Sequence, residues 1–355
     1  MSIIARSEGA RAVTDDPVSV METAYWWGVP SLFRCPVNLD PTACDIALVG
    51  VPHSSGNGST ERDQHLGPRA VRDVSAQNRR LHKAFGYFSP WDACRIHDLG
   101  DVPLPEAMDN EASVERISAF FRRIADAKAR PVSIGGDHSI SGAILQAIAG
   151  EGSALTGGRP VALVHLDSHT DTYENIEHWM GARKSAAHWA AYTVRQGNVD
   201  ASRSVQLGIR GNTRTPDWLA TSQNLGYELI EIERYRELGI PATVELIRQR
   251  VGDAPVYISF DLDSLDPSVA PAVSNLEPGV AGFGIDEANA ILRGLRGLDI
   301  VGADVVCLMP TKDLPNKITA MVAAHIMFEL TSLIADRLAS QGATAGADAA
   351  SAAGD

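Results

Sequence analysis

The sequence predicts an α/β fold built on a mainly parallel central sheet. Two observations lead there. Short apolar, β-branched runs recur and are mostly continuous rather than alternating, as strands covered on both faces require, and amphipathic helical stretches lie between several of them. A third observation locates the chemistry. Three of the runs end in clusters of Asp, His and Ser, and open parallel sheets bind ligands beyond the carboxyl ends of their strands.

The strand-like runs are 46–51 (IALVGV), 131–134 (PVSI), 161–164 (VALV), 204–209 (SVQLGI), 228–232 (ELIEI), 256–260 (VYISF) and 300–308 (IVGADVVCL). From Val114 to Ala129, and again from Ile318 to Leu338, apolar residues recur three and four apart, which predicts helices. No Pro/Gly/Ser-rich or charge-rich linker interrupts the middle, so residues 41–338 read as a single α/β domain. Residues 1–40 form an N-terminal arm whose aromatic stretch begins Tyr25-Trp26-Trp27. The Trp pair either covers the domain's own edge or forms an interaction patch. Residues 339–355 carry little hydrophobic mass and predict a disordered tail.

The totals narrow the function classes. The 355 residues can bury a sizeable core, and 45% apolar with 21% charged residues is ordinary for a globular enzyme. A formal charge of −13 leaves no basic stripe for phosphates, so no nucleic-acid partner is expected. Four scattered cysteines without a CxxC pair fit a reducing, cytoplasmic setting and predict no thiolate metal site. The first residues, with Asp15-Asp16, do not resemble a signal peptide, and no uninterrupted apolar run approaches membrane-spanning length, so no membrane partner is expected.

The three polar clusters are Gly135-Gly-Asp-His-Ser139, Asp167-Ser-His-Thr-Asp171 and Ser259-Phe-Asp-Leu-Asp-Ser-Leu-Asp-Pro267. Side chains two apart on extended backbone share a side, so Asp167, His169 and Asp171 can converge, as can Asp261 and Asp263. With His138 they make two imidazoles and four carboxylates, an oxygen-and-nitrogen set suited to Mn²⁺, Ni²⁺, Co²⁺ or Fe²⁺. Six candidate ligands are too many for one ion but natural for two sharing bridging carboxylates, which would acidify a water into a nucleophile at neutral pH. Any one cluster alone could be a helix cap or a turn. Three of them, each at a strand end, point to a metal centre.

These signatures, in order and spacing, resemble those of the ureohydrolase (arginase/agmatinase) superfamily. The similarity extends to Val49-Gly-Val-Pro52, Leu66-Gly-Pro-Arg-Ala-Val71 and Gly208-Ile-Arg-Gly211, and spans about Val20 to Leu338. The resemblance implies a three-layer αβα arginase-like fold and a binuclear centre with two divalent metal ions per subunit, Ni or Mn. Carried over, one ion is held by His138, Asp167, Asp171 and Asp261, the other by Asp167, His169, Asp261 and Asp263. Asp171 also moves the proton, and Glu277 in Asn275-Leu-Glu-Pro-Gly279 pairs with a guanidinium through parallel N–H bonds. It further implies an oligomer, homo- or hetero-meric, of trimer or hexamer type.

Departures from the family pattern concern the substrate. Where relatives carry a His-Gly pair after the second signature, this chain offers His188, or His178, with Trp189 as a further substrate contact. The loop 52–69 is Gly-rich but lacks Gly-Lys-Ser/Thr, so it is not a phosphate loop. Cys307 stands where relatives usually carry glutamate, in a loop expected to line the mouth and set the substrate's second end. These departures resemble the guanidine/metformin (biguanide) hydrolase branch, with hydroxide attack on the central carbon of a small cationic guanidino or biguanide substrate. The alternatives are an agmatinase or guanidinobutyrase releasing urea, and a non-catalytic partner subunit of a hetero-oligomer.

Overall fold

A computed structural model describes residues 21, 24–58, 61–174, 182–213 and 215–352 (backbone alone for 342–352). Its eight strands are β1 Ile46–Val51, β2 Ile96–Asp101, β3 Arg130–Gly135, β4 Ala162–Leu166, β5 Val205–Ile209, β6 Glu228–Glu231, β7 Val256–Asp261 and β8 Ile300–Val306. They form one sheet in the order β2-β1-β3-β8-β7-β4-β5-β6, and every pairing is parallel.

Alternation along β1 shows how the layers are made. Ile46 and Leu48 join one apolar cluster, with Val71, Ile247, Ile291 and Ile326 from helices Gly67–Ser75, Ile232–Val251, Ile285–Gly294 and Ile318–Ala352. Ala47, Val49 and Val51 join the other, with Ile117, Phe121 and Ile144 from helices Asn110–Asp126 and Ser139–Ile148. Both sheet faces are therefore covered, giving three αβα layers. Each fully buried aliphatic side chain contributes about 1.5–3 kcal/mol. Helix Asn110–Asp126 begins where the Asp109 side chain accepts from Ala112 N at 3.0 Å.

Continuous apolar runs do not mark β2. Its sequence, Ile-His-Asp-Leu-Gly-Asp, is only partly buried and lies at the sheet edge, where strands need not be continuously apolar. The stretch Ile318–Gln341 reaches a mean hydropathy of 1.7, yet 83% of that apolar window is buried within the protein, as a core helix is. The same helix runs on to Ala352, through the stretch whose composition predicts disorder. Alanine, abundant there, has the highest helix propensity.

In the arm, Leu32 and Phe33 are buried, with Leu32 N donating to Asp98 Oδ2 at 2.8 Å and Phe33 N to Ser75 Oγ at 2.9 Å. Trp26 and Trp27 remain 69% and 50% exposed.

Candidate metal centre and active site

β3, β8, β7 and β4 lie side by side in the middle of the sheet, so their carboxyl ends open on one crevice. His138 follows β3, at the start of helix Ser139–Ile148; Asp167 follows β4; Asp261 ends β7; Cys307 follows β8. Within the GGDHS segment Asp137 is a tie: its Oδ2 accepts from Gly56 N at 2.9 Å and its Oδ1 from Ser139 N at 2.9 Å. Gly136 is required because a Cβ there would strike Val51 O and His53 O.

The convergence of alternate residues is real, but its local cause is turn chemistry after the strands. Asp167 Oδ1 accepts from His169 N at 2.7 Å, and Asp261 Oδ1 from Asp263 N at 2.8 Å. Asp side chains that bond the backbone two residues on bend the chain around themselves. Asp171 completes the bend at φ 52°, a left-handed conformation that Asp tolerates.

His138 Nδ1 faces three carboxylate oxygens: Asp167 Oδ2 at 3.0 Å, Asp171 Oδ2 at 3.0 Å and Asp261 Oδ2 at 3.1 Å. His169 Nδ1 lies 3.3 Å from Asp167 Oδ1 and 3.2 Å from Asp263 Oδ2, while its Nε2 is 3.4 Å from Glu277 Oε1. Glu277 thus sits at the open side, its carboxylate pressed against Gly211, where a Cβ would collide with it.

Further residues hold this arrangement: Ser259 opens the third cluster, while Tyr257, Asp304 and His165 lie outside all three. Ser259 Oγ lies 2.9 Å from His138 Nε2 and donates to Asp304 Oδ1 at 2.8 Å; Tyr257 OH donates to Asp304 Oδ2 at 2.6 Å. With its proton committed to Asp304, Ser259 accepts from the His138 Nε2–H, so that beside a bound cation His138 would be neutral and offer its Nδ1 lone pair on the carboxylate side. His165, fully buried, meets Asp167 Oδ2 through Nε2 at 2.8 Å. Nothing in its local sequence separates it from the buried strand around it; only the alternation that puts His165 and Asp167 on one side hints at the contact.

Trp189 corrects one expectation. Trp189 is fully buried rather than lining the substrate's side: its Nε1 donates to Asp171 Oδ2 at 2.7 Å, and its ring packs 4.8 Å from His138 and 4.9 Å from His165. An indole can fill that apolar space only by giving its N–H a partner. His188, also buried, starts helix Trp189–Arg195 with Nδ1 2.8 Å from Ser185 Oγ. His178 lies outside the described residues.

Cys307 corrects a second. It is 4% exposed, and its Sγ lies among ligand-type atoms of His138 and Asp261, all within 4.8 Å of one another. It therefore belongs to the floor of the crevice, against the expectation of a mouth position. The loop 52–69 does reach the segment after β8, since Asp63 Oδ2 accepts from Thr311 N at 2.8 Å.

The electrostatics suit added cations. Burial pushes Asp261 up to about 7, with Asp263 and Asp167 adding to it, and burial and Asp167 raise Asp263. Burial would raise Asp167 too, but the adjoining imidazoles of His138, His165 and His169 hold it well below the usual carboxylate range. Burial opposes the charging of His138, and the surrounding carboxylates, Asp171 foremost, overcome this and raise it. Carboxylates packed this closely ionise together only beside positive charge. An imidazole lone pair and converging carboxylates are donors that fit divalent ions. The sets His138, His165, Asp167, Asp171 and Asp167, His169, Asp263 each gather within 4.8 Å.

Known proteins agree with this geometry. The Arginase family model matches residues 44–332. Guanidinopropionase of Pseudomonas aeruginosa is 37% identical over 325 residues, 91% of this chain and 97% of that protein. Agmatinase of Neisseria meningitidis is 34% identical over 303 residues, covering 84% and 91%. Among solved structures, proclavaminate amidino hydrolase from Streptomyces clavuligerus superposes with a TM-score of 0.80 at 30% identity, covering 88% of this chain and 99% of that one. The chain belongs to the arginase family, whose enzymes use a binuclear divalent-metal centre, and is a metal-dependent amidinohydrolase acting on C–N bonds of linear amidines.

Proposed function

We propose that this protein hydrolyses a C–N bond of a small guanidino compound at a two-metal centre. His138, Asp167, Asp171 and Asp261 would hold one ion, and Asp167, His169, Asp261 and Asp263 the other, with Asp167 and Asp261 shared. The observation that carries this reading is His138 Nδ1, turned by Ser259 toward three carboxylate oxygens. When bound, the two ions would offset the four carboxylates and lower the pKa of a water enough to make it a nucleophile at neutral pH.

The chain's own residues orient and move protons around that event. Glu277, beside His169, pairs with the cationic guanidinium and presents its central carbon to the crevice floor. Asp171 Oδ2 is occupied by Trp189, which leaves Oδ1 to take the proton from water and return it to the departing nitrogen. Departure as a neutral amine needs that proton, because an amide anion is too basic to leave.

The substrate's second end has two readings. Similarity to guanidinopropionase and agmatinase supports a guanidino group on a short chain that ends in a carboxylate or amine. The Trp26-Trp27 arm and the Glu61-Arg-Asp-Gln-His65 loop, which resemble the biguanide-hydrolase branch, support an apolar-substituted biguanide instead. A substrate panel on protein loaded separately with Mn²⁺ or Ni²⁺ separates them: urea release from guanidinopropionate, guanidinobutyrate or agmatine supports the first, guanylurea from a biguanide the second. No turnover of any guanidino compound by either loaded form would sink the proposal.

A further inference from the structure

The ligand set carried by the three sequence signatures contains no sulfur, yet the fold delivers one. Sheet order puts β8 between β3, which leads to His138, and β7, which ends in Asp261. The residue immediately past β8 is Cys307. Its Sγ, a His138 ring nitrogen and an Asp261 carboxylate oxygen all lie within 4.8 Å of one another, a spacing one ion could bridge.

Two further features aim it there. Cys307 has φ 71°, a conformation uncommon outside glycine, and Cys307 N donates to Gly136 O at 2.9 Å, tying the turn to the segment that carries His138. Independently, His138 Nδ1 is buried, belongs to a residue 2% exposed, and makes no well-aligned hydrogen bond among the described residues. An imidazole nitrogen of this kind, a carboxylate oxygen and a thiol around one point are three donors facing a shared space.

We propose that Cys307 is a sulfur ligand to the ion held by His138 and Asp261. The proposal rests on the two-metal reading above and deepens it. On coordination the S–H bond breaks: the electron pair stays on sulfur to form the metal–sulfur bond, and the proton is released to solvent. A thiolate softens an otherwise oxygen-and-nitrogen set, so the site shifts away from Mn²⁺ and toward Co²⁺, Ni²⁺ or Zn²⁺.

The test uses the full chain loaded with Co²⁺ alone, read by absorption and by elemental analysis. Two cobalt ions per chain are expected, with a sulfur-to-cobalt charge-transfer band in the near ultraviolet that Cys307→Ser, a near-isosteric change, removes. Competition experiments should show the same variant losing affinity for Co²⁺ relative to Mn²⁺ by at least about ten-fold. Bound cobalt without the band in the unaltered chain overturns the ligand assignment while leaving the two-metal reading intact. So does a band that survives in Cys307→Ser, since it then arises from Cys35, Cys44 or Cys94. Failure to bind cobalt stoichiometrically overturns both.

Discussion

The indole Nε1 of Trp189 donates a 2.7 Å hydrogen bond to Asp171 Oδ2, the same oxygen that stands 3.0 Å from His138 Nδ1. A fully buried aromatic thereby fixes the carboxylate assigned both to a metal and to the proton. Trp189→Phe keeps most of the ring packing but removes the donor. The expected outcome is a stability loss of about 1–3 kcal/mol and a fall in kcat of about 10–100-fold. Chemical denaturation and steady-state kinetics measure the two, and an unchanged kcat would take Asp171 out of the proton's path.

His138 depends on the chain Ser259–Asp304–Tyr257 for its orientation. Asp304→Asn turns an acceptor-only group into one that can also donate, so Ser259 is free to direct its proton at His138. Metal affinity should fall by about 10–100-fold, seen by competition with a chelating dye, with little change in secondary structure. Equal affinity in the two proteins would show that the tautomer of His138 is set elsewhere.

Glu277 stands 3.4 Å from His169 at the open side of the crevice. Glu277→Gln keeps the shape and removes the charge that pairs with a guanidinium. A charged hydrogen bond contributes about 1.5–3 kcal/mol, so KM should rise by about 10–100-fold with the metal count unchanged. If KM does not move, Glu277 does not touch the substrate.

Far from the crevice, Glu329 accepts from His82 Nε2 at 2.9 Å and from Arg293 Nε at 3.0 Å, joining the closing helix to two other segments. Burial alone would raise its pKa, but these partners reverse the sign and hold it at about 2, against an ordinary 4.5. A carboxylate depressed on folding adds stability that is present above about 4.5 and is lost as pH falls toward about 2. The contribution at neutral pH is at most about 3 kcal/mol. Unfolding free energies between pH 6 and pH 2.5 should therefore fall less steeply in Glu329→Gln than in the unaltered chain, and parallel curves would refute the linkage.

Much of the fold was legible because burial writes itself into composition. Strands covered on both faces must be continuously apolar, so the central runs stand out. The edge strand β2 did not, because its buried Asp98 is compensated by Arg72 and Leu32 N, remote in sequence, while His97 and Asp101 are not fully covered. The candidate ligands were legible for a different reason. Carboxylates and imidazoles at strand ends are costly unless compensated, so their spacing alone carries meaning.

What the sequence by itself determined is local: that Asp167, His169 and Asp171 share one side, that Asp261 and Asp263 do the same, and that apolar runs precede them. Asp side chains that bond the backbone two residues on place these neighbours, and such local turns need no tertiary context. Strand order is another matter, set by where each crossover lays the next strand. Only the tertiary structure set β8 between β3 and β7, and so brought Cys307 beside His138 and Asp261. It alone put Trp189 beneath Asp171, 18 residues along the chain, and Asp304 behind Ser259, 45 residues away. Those contacts join segments remote in sequence, and no periodicity records them.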